Sequence, residues 1–525
     1  MATDFASDAP PRSFSASAVT RVVHDLQANT KSASRANWLR AVATVTTTKR
    51  SDLANGLIEI LGAEPFSDGS NPLEGLTVGE IGVCYEALLA LMDSRGRRAS
   101  GQYFTPDDAA RFMAERSTEF PEGVWLDPCC GVGNLAWHLA AVQPDSATFV
   151  RDRLALIDLD QTALVTAVAL LGAGYLAHGD LDGLAALHER AEKRDFLAQR
   201  ALPRHDFVIV NPPYARAPEK PGMRTGRTRE LFSYFLERIA TESSGFIAVT
   251  PASYLSAPKF NPLRDVLDKE VTGGDIFVFD NVPDTLFRGY KFGSSNTSST
   301  NFVRAAITVC APERDAWAVT PIIRWKTANR ARMFAMAPDL LAARKIGPAD
   351  EWVKLPSALA ELWDRLSSAP LRLKHLVVPE ITEYSLTIGM TPRYYISAAY
   401  RDLERGSKAV LHFRTAEDRD RAALVLNSSV PYLWWRALDG GVTLPRRVLF
   451  STPIPASCRI DAELAALVME LKATEGASIT TKLNAGIINE NVKRPIALVE
   501  RINQALLGDV PDLHIVYSED MAADY

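Results

Sequence analysis

The sequence predicts an α/β fold built around a mainly parallel sheet. Between residues 95 and 315, short apolar runs alternate with stretches of helical periodicity, as in a parallel sheet covered by helices. The strand-like runs are residues 124–126, 154–157, 207–210, 246–249, 275–279 and 302–309. The third run leads directly into Asn211-Pro212-Pro213-Tyr214. This order places a rigid turn at the carboxyl edge of the sheet, where open α/β folds bind their ligands.

Composition and patterning set the expected domain boundaries on either side of this core. Residues 1–15 are rich in Ala, Ser, Asp and Pro and are predicted to be disordered. Residues 16–95 show helical periodicity and predict a helical N-terminal domain, which precedes the α/β domain of residues 96–315. Residues 316–470 have a mixed pattern that predicts an α+β domain, and residues 471–525 predict a helical tail.

Bulk composition excludes several classes of protein. Apolar content of 47% and charged content of 23% are typical of globular proteins. The sequence shows no apolar run of membrane-spanning length and no signal-peptide pattern, so we expect no membrane partner and a cytoplasmic location. The five cysteines form no CxxC pair, so we expect no zinc site, and we interpret Cys129 and Cys130 as packed turn residues. The net charge of −5 means that any nucleic-acid contact must rest on a local basic surface.

The turn at Asn211 to Tyr214 has the chemistry of a site for a planar amine. The two prolines carry no N–H, so the local carbonyl groups remain hydrogen-bond acceptors. Asn211 adds a side-chain acceptor, and Tyr214 offers a flat face for stacking. The turn therefore suits the exocyclic amine of a planar base.

A second half of the site is predicted after the first strand. In the segment 127–134, Gly131 and Gly133 allow the backbone to approach a ligand closely. The loop lacks the spacing of a dinucleotide or P-loop motif, and Asp127 is suited to hold an ammonium group. Asp158 is placed to accept ribose hydroxyls, with a helix cap as the alternative. Asp180 is placed to contact an adenine amine, with a turn residue as the alternative.

These motifs, in this order, resemble the amino-group DNA methyltransferases. The particular resemblance is to the N6-adenine family, in which cofactor motifs precede the catalytic motif and a target-recognition domain follows it. The matching segments are Gly101-Gln102-Tyr103-Phe104-Thr105-Pro106 for the first cofactor motif, Asp127–Gly133 for the glycine loop, Asp158 and Asp180 for the ribose and adenine acids, Asn211–Tyr214 for the catalytic motif, and Gly245–Ser253 for the strand and loop after it.

The resemblance implies a Rossmann-like class I methyltransferase core with a mainly parallel seven-stranded sheet, and S-adenosyl-L-methionine as cofactor. Tyr103 and Thr105 join the other motif residues as implied cofactor contacts. The implied activity is methylation of adenine N6 in double-stranded DNA, in restriction-modification or phage defence, without a metal. A separate restriction or defence subunit is a possible partner. The alternatives are a cofactor- and DNA-binding subunit active only with a partner protein, and a methyltransferase acting on RNA or protein.

The family mechanism assigns roles to the residues of the catalytic turn. The Asn211 side-chain oxygen and the Pro212 carbonyl would accept the two N–H bonds of the target amine. The base would be flipped out of the duplex and would stack on Tyr214. Phe287 is the expected second aromatic wall, with Phe292 as the alternate position and core packing as the alternative role.

Basic residues after the catalytic turn predict contacts to DNA phosphates. The segment 215–229 is predicted to be a mobile basic loop, in which Arg216, Arg224 and Arg227 are candidate contacts. Solvation alone is the alternative. Further candidates in the C-terminal half are Arg393 and Arg446, whereas Lys493-Arg494 is predicted to lie on a solvated helix face.

Overall fold

The computed structural model describes residues 16–92, 105–287, 291–292, 295–296, 303–392, 394–484 and 487–524. The chain divides into two compact units. The first contains residues up to 254 together with 259–317, and the second contains residues 255–258 and 318 onward. Among the described residues, no helix is long and apolar enough to cross a membrane.

The first unit combines N-terminal helices with an α/β core. Its helices are α1 (Ala16–Leu26), α2 (Lys31–Lys49), α3 (Ala54–Leu61), α4 (Val78–Met92), α5 (Asp107–Glu115), α6 (Asn134–Ala141), α7 (Ser146–Asp152), α8 (Gln161–Tyr175), α9 (Leu181–Glu189), α10 (Leu231–Glu242) and α11 (Asn261–Glu270). Its strands are β1 (Trp125–Asp127), β2 (Leu154–Asp158), β3 (Ala191–Lys193), β4 (Phe207–Val210), β5 (Gly245–Pro251), β6 (Gly274–Phe279), the short pair β7 (Lys291–Phe292) and β8 (Ser295–Asn296), and β9 (Ala305–Cys310).

Seven of these strands lie side by side in a nine-stranded sheet, in the order β3-β2-β1-β4-β5-β9-β6. Neighbouring strands from β3 to β5 are parallel, and β9 runs antiparallel to both β5 and β6. Every residue of β1, β2, β4, β5, β6 and β9 is buried, because helices cover both faces of such a sheet. The predicted α/β fold with a mainly parallel sheet is confirmed, but in the described part of the chain the sheet has nine strands where seven were predicted.

The strand order reverses at β1, whose neighbours are β2 and β4. At such a reversal the crossover connections leave towards opposite faces of the sheet, which opens a crevice at the carboxyl ends of the strands. The catalytic turn follows β4 and the glycine loop follows β1. The topology therefore brings the two predicted halves of the site to one crevice.

The N-terminal helices pack directly on this core within the same unit. Trp38 of α2 is fully buried, and its indole N–H donates to the Thr166 hydroxyl of α8 at 3.0 Å. Its ring lies 4.8 Å from that of Tyr85 in α4. The buried indole and its bonded N–H hold the helices against the α/β core.

The second unit contains both helices and short strands. Its helices are α12 (Arg330–Met336), α13 (Ala360–Ser367), α14 (Ala416–Leu426), α15 (Val430–Leu438), α16 (Arg446–Phe450), α17 (Ala462–Ala473), α18 (Glu475–Ser478), α19 (Ile496–Leu507) and α20 (Met521–Asp524). Its strands are β10 (Trp317–Ile323), β11 (Ala342–Ala343), β12 (Leu371–Arg372), β13 (Val377–Val378), β14 (Tyr384–Gly389), β15 (Ala398–Ala399), β16 (Lys408–Phe413), β17 (Pro453–Ile454), β18 (Ile479–Asn484) and β19 (Ile487–Val492). Trp363 and Trp434 stack at 4.5 Å in its core.

The tail predicted to be helical from residue 471 also contains a β-hairpin. Strands β18 and β19 pair antiparallel, with Leu483 opposite Ile488. Thr480, Thr481 and the isoleucines of the two strands have β-branched side chains, which favour a strand. Helical periodicity resumes only in α19.

The prediction that Lys493-Arg494 lies on a solvated helix face is wrong for Arg494, whose side chain is completely buried. Its guanidinium donates to the Asn427 side chain at 3.0 Å, to the Leu471 and Ala398 carbonyls at 2.9 and 3.0 Å, and to Glu475 at 3.0 Å. The planar fork of Arg suits such multiple bonding. Arg494 thus cross-links four segments of the second unit.

Replacing Arg494 should therefore destabilise the second unit. We expect Arg494→Ala to lower its free energy of unfolding by about 3–5 kcal/mol, because Glu475 is left as a buried unpaired charge. Lys493→Ala, at the exposed neighbour, should change it by less than about 0.5 kcal/mol. Denaturant unfolding followed by tryptophan fluorescence measures both, and equal stability of the two variants would contradict the assignment.

Candidate functional site

The catalytic turn leaves the end of β4 and is fixed from several sides. The Asn211 side-chain nitrogen donates to the Thr105 hydroxyl at 3.0 Å. The Cys129 thiol donates to the Asn211 carbonyl at 3.1 Å. The bond to Thr105 fixes the orientation of the Asn211 amide, whose oxygen is its acceptor atom.

The glycine loop joins β1 to α6 and bends at both of its predicted glycines. Gly131 and Gly133 have φ values of 53° and 92°, in the left-handed region that favours glycine. A Cβ on Gly133 would also lie 3.0 Å from the Ala167 methyl group. The Gly131 N–H donates to the Asp158 carboxylate at 2.8 Å, so the glycine loop and the end of β2 are bonded to each other.

Asp158 also accepts the Asp160 N–H at 2.8 Å. Both carboxylate oxygens therefore bond to backbone, one within its own loop and one across to the glycine loop. The predicted alternative for Asp158, a helix cap, is filled instead by Asp160, which accepts the Thr162 N–H at the start of α8. Burial raises the pKa of Asp158.

Asp127 is a completely buried carboxyl at the end of β1, with a raised pKa. One of its oxygens accepts the Cys129 N–H at 3.3 Å, and among the described residues the other has no hydrogen-bond partner. Burial, followed by the nearby Asp158 charge, raises the pKa of Asp127 to about 8. A buried carboxyl without a cationic partner is a suitable site for a ligand cation.

The two adjacent cysteines are free thiols, as expected of packed turn residues. Burial raises the pKa of both Cys129 and Cys130 well above the ordinary value. They are therefore poor nucleophiles, and the contact of Cys129 with the Asn211 carbonyl is a packing and orienting contact.

A cavity of about 500 Å³ lies at the carboxyl ends of β1 to β4. Among the predicted site residues it is lined by Thr105, Asp127, Gly131, Asp158 and Asn211. The other lining residues that matter below are Tyr85, Glu86 and Leu89 of α4, Asp195 and Phe196 after β3, and Ala217–Pro221 after the catalytic turn. The structure thus brings the two predicted halves of the site to one cavity.

Asp180 is not among the residues that line this cavity. It caps α9 by accepting the Gly183 N–H at 2.9 Å, and it lies 3.8 Å from Arg151. The carboxylate at the end of the third strand is instead Asp195, two residues after β3 and directly before the buried ring of Phe196. The sequence missed Asp195 because β3 is short and half-exposed and has no apolar run to mark it.

Tyr214 is not among the residues that line this cavity, and its ring is held in place by neighbouring groups. Its hydroxyl donates to the Val249 carbonyl at 2.9 Å. The rings of Phe232 and Phe287 lie 6.5 and 5.8 Å from it between ring centroids, in edge-to-face arrangements with interplanar angles of 81° and 74°. Phe287 is buried and packs against Tyr214. This contact agrees equally with the two predicted roles, an aromatic wall of the base site and packing in the core.

The basic loop after the catalytic turn is folded on itself. The Glu237 carboxylate accepts the N–H groups of Arg224 and Thr225 at 2.8 and 2.7 Å. The Tyr234 hydroxyl lies 2.7 Å from the Gly226 carbonyl. One face of this loop, residues 217–221, lines the cavity.

The candidate DNA contacts of this loop differ in their surroundings. Arg224 lies 2.8 Å from Glu270, which engages its guanidinium. Arg227 and Arg229 are exposed and both lie near Glu219, at 3.7 and 3.5 Å. Arg216 is exposed next to the catalytic turn.

The remaining candidates lie elsewhere. Arg446 is exposed at the first position of α16 in the second unit. Tyr103 and Arg393 lie outside the residues that the structure describes, and so does the side chain of Phe292.

Comparison with known families identifies the segment that carries this site. Residues 78–233 match the family described as N-6 DNA Methylase. The match includes α4, the glycine loop, the catalytic turn and the basic loop. It agrees with the family resemblance predicted from the motifs, and with the α/β core it confirms the predicted methyltransferase fold. No match is found among curated proteins.

Several solved structures are similar to this chain at low identity. A DrdV–DNA complex shares 14% identity, with 90% of this chain and 55% of that chain covered and a TM-score of 0.44. The type IIG restriction endonuclease BpuSI shares 12% identity, with 96% and 79% covered and a TM-score of 0.42. The modification subunit of a putative type I restriction enzyme from Vibrio vulnificus YJ016 shares 13% identity, with 58% and 71% covered and a TM-score of 0.36. This chain spans about half the length of the DrdV chain.

The raised pKa of Asp127 predicts how stability depends on pH. The folded protein holds this proton up to about pH 8, whereas the unfolded chain releases it near 3.8. Because the folded state binds more protons between these values, its stability is greatest below the lower one and is lost as the pH rises through the upper one. The contribution is about 1.4 kcal/mol per pH unit.

Asp127→Asn should remove this contribution, and Asp182→Asn, at an exposed position on α9, should not. Denaturant unfolding without ligand at about pH 5.5, 6.5 and 7.5 measures how the free energy of unfolding depends on pH. A slope unchanged in Asp127→Asn would show that the group is ionised in the folded protein.

Proposed function

From the match of residues 78–233 to the N-6 DNA methylase family, we propose that this chain is a site-specific DNA adenine-N6 methyltransferase. It transfers the methyl group of S-adenosyl-L-methionine to an adenine flipped out of double-stranded DNA. We place this activity in restriction-modification or phage defence. The observation that carries the proposal is the Asn211–Tyr214 turn, which borders a cavity where the buried Asp127 carboxyl has one oxygen without a partner among the described residues.

The residues of the cavity fit the proposed cofactor. The buried, unpaired oxygen of Asp127 suits the ammonium of the methionine moiety, because a cation would compensate the charge that burial now suppresses. Asp158 at the end of β2 suits the ribose hydroxyls, and Asp195 with Phe196 takes the adenine-contacting role first assigned to Asp180. When bound, the cofactor supplies an electrophilic methyl group on a sulfonium centre.

The catalytic turn prepares the target amine for attack. An adenine amine is a weak nucleophile because its lone pair is delocalised into the ring. The Asn211 oxygen and the Pro212 carbonyl accept its two N–H bonds, which favours a more tetrahedral nitrogen with a localised lone pair. Thr105 and Cys129 hold Asn211 by its amide nitrogen and its carbonyl, at 3.0 and 3.1 Å, so the acceptors are oriented before the base arrives.

Tyr214 receives the extruded base. Its bond to the Val249 carbonyl and the edges of two phenylalanine rings fix the plane of its ring. A base stacked on such a face gains about 1–3 kcal/mol, which offsets part of the cost of leaving the duplex. The exposed Arg216 and Arg227, close in sequence to this turn, are suited to neighbouring phosphates, and Arg446 is the candidate contact in the second unit.

The first test is Asn211→Ala. We expect methyl transfer to fall by about 100-fold or more, because the amine loses one of its two acceptors. Cofactor affinity should change little, since the cofactor contacts belong to other residues. Transfer of labelled methyl groups to duplex DNA measures the first quantity, and calorimetry with S-adenosyl-L-methionine measures the second.

Asp127→Ala serves as the matched variant and should lose cofactor binding instead. Substantial methylation by Asn211→Ala would overturn the assignment. Single-molecule sequencing of DNA treated with the purified wild-type chain identifies the modified base and its sequence context. Methylation that requires added cell extract would instead identify a subunit dependent on a partner, and unmodified adenine throughout would favour RNA or protein as substrate.

A second test separates base capture from cofactor binding. Tyr214→Ala should weaken binding to the target DNA by about 1–3 kcal/mol, whereas cofactor affinity stays near that of the wild type. Tyr214→Phe keeps the ring but not the bond to Val249, so it should retain most of the stacking. Fluorescence of an adenine analogue at the target position reports extrusion, and an effect on cofactor affinity larger than that on DNA would contradict the role.

A further inference from the structure

Asn134 is a buried polar residue of the cavity to which the proposed function assigns no role. It is the first residue of α6, directly after Gly133 of the glycine loop, and it is 3% exposed. It also lines the cavity. A buried amide needs partners for both its nitrogen and its oxygen, so the surroundings of these two atoms indicate what the side chain does.

The amide nitrogen of Asn134 is engaged within the protein. It donates to the Thr105 carbonyl at 2.7 Å. A backbone carbonyl only accepts hydrogen bonds, so the atom that faces it must be the nitrogen, and the oxygen lies on the other side of the amide. The Thr105 hydroxyl in turn accepts from Asn211 at 3.0 Å. The bond to Thr105 therefore fixes the Asn134 amide and connects it to the catalytic turn.

The amide oxygen of Asn134 is buried and has no hydrogen-bond partner among the described residues. An acceptor left in this state is costly, and native proteins usually satisfy it with a protein group, a ligand or an ordered water. Asp127, which also lines the cavity, has one buried oxygen in the same state. The two ends of the segment 127–134 thus each present an acceptor oxygen that a donor group in the cavity would satisfy.

We propose that Asn134 is a further cofactor-binding residue, whose side-chain oxygen accepts an N–H of the ammonium group of S-adenosyl-L-methionine. The carboxyl of Asp127 accepts another N–H of the same group. The inference rests on the proposed function, because it takes this cofactor as the ligand of the cavity.

The ammonium is the cofactor group whose hydrogen-bonding needs match this position. It has three N–H donors, so a single carboxylate oxygen leaves it incompletely bonded in a buried site. The other donors of the cofactor, the ribose hydroxyls and the adenine amine, are assigned above to residues that follow β2 and β3. Asn134 follows β1, the strand that ends in Asp127. A neutral amide also supplies a second acceptor without placing another negative charge near Asp127.

Two ligands that differ only in the amino group isolate the proposed bond. The first is S-adenosylhomocysteine, and the second is the same compound without its α-amino group. The ratio of their affinities is the informative quantity, because the loss of the bond to Thr105 in a variant of Asn134 would disturb both ligands alike. Asn134→Ala should lower the preference for the first ligand by about tenfold or more, since a hydrogen bond to a charged group is lost.

Asn134→Leu keeps the approximate volume of the side chain and also lacks an acceptor, so it should lower the preference by a similar factor. It gives the answer if Asn134→Ala does not fold. Asn55→Ala, at an exposed position near the start of α3, is the matched control and should leave the preference unchanged. Calorimetry on the full chain measures the affinities, and thermal unfolding without ligand shows that each variant is folded.

The outcomes distinguish a direct contact from a structural role. An unchanged preference in the folded variants overturns the inference even where both affinities fall, because Asn134 then acts only through the structure of the loop. Equal binding of the two ligands by the wild-type chain overturns it as well, since the ammonium is then not recognised. A wild-type chain that binds neither S-adenosyl-L-methionine nor S-adenosylhomocysteine contradicts the proposed function itself, so the two kinds of failure are distinguishable.

Discussion

The hydrogen bond between the Asn211 amide and the Thr105 hydroxyl is the contact on which the site depends. Thr105 is buried, and its carbonyl accepts the Asn134 amide at 2.7 Å, at the start of the helix after the glycine loop. One residue thus joins the catalytic turn to the cofactor loop, although 106 and 29 positions separate it from its two partners along the chain. Because these segments meet only when β1 and β4 pair in the sheet, the site exists only in the folded unit. The bond also fixes the orientation of the Asn211 amide.

The sequence predicts the central strands well for a physical reason. Strands buried on both faces of a parallel sheet must be continuous apolar runs, and Phe207–Val210 is such a run. Strand β3 lies at the edge of the sheet, and its half-exposed Ala-Glu-Lys carries no such signal. The sequence therefore predicts Asp180 as the adenine-contacting acid, fifteen positions before Asp195, which lines the cavity. The prediction of an exposed Arg494 is wrong for a related reason: a charged residue is expected at the surface unless its buried partners are known.

The chemistry of the catalytic turn and the glycine loop was accessible from sequence because backbone geometry restricts the residues allowed there. Left-handed φ values select glycine at positions 131 and 133, and the turn after β4 uses two prolines. The electrostatic state of Asp127 was not accessible, since its pKa depends on complete burial and on the neighbouring Asp158. A buried carboxyl without a cationic partner is costly for the free protein. The cofactor proposed for this site would bring the missing positive charge and so offset that cost.

The walls of the cavity are harder to predict from sequence than the polar residues at its strand ends. These polar residues lie at strand ends, where the sheet topology fixes their positions, and short sequence motifs identify them. The walls come from α4 and from residues 217–221, which enclose the cavity by packing. Packing tolerates many side chains, so these segments have helical or loop-like patterns without a motif. Tyr85 in particular has the periodicity of an ordinary buried helix residue, and only its contact with Asp160 relates it to the cofactor loop. The same loop that lines the cavity through residues 217–221 also exposes Arg227 to solvent, so one segment supplies both a wall of the cavity and an exposed cation.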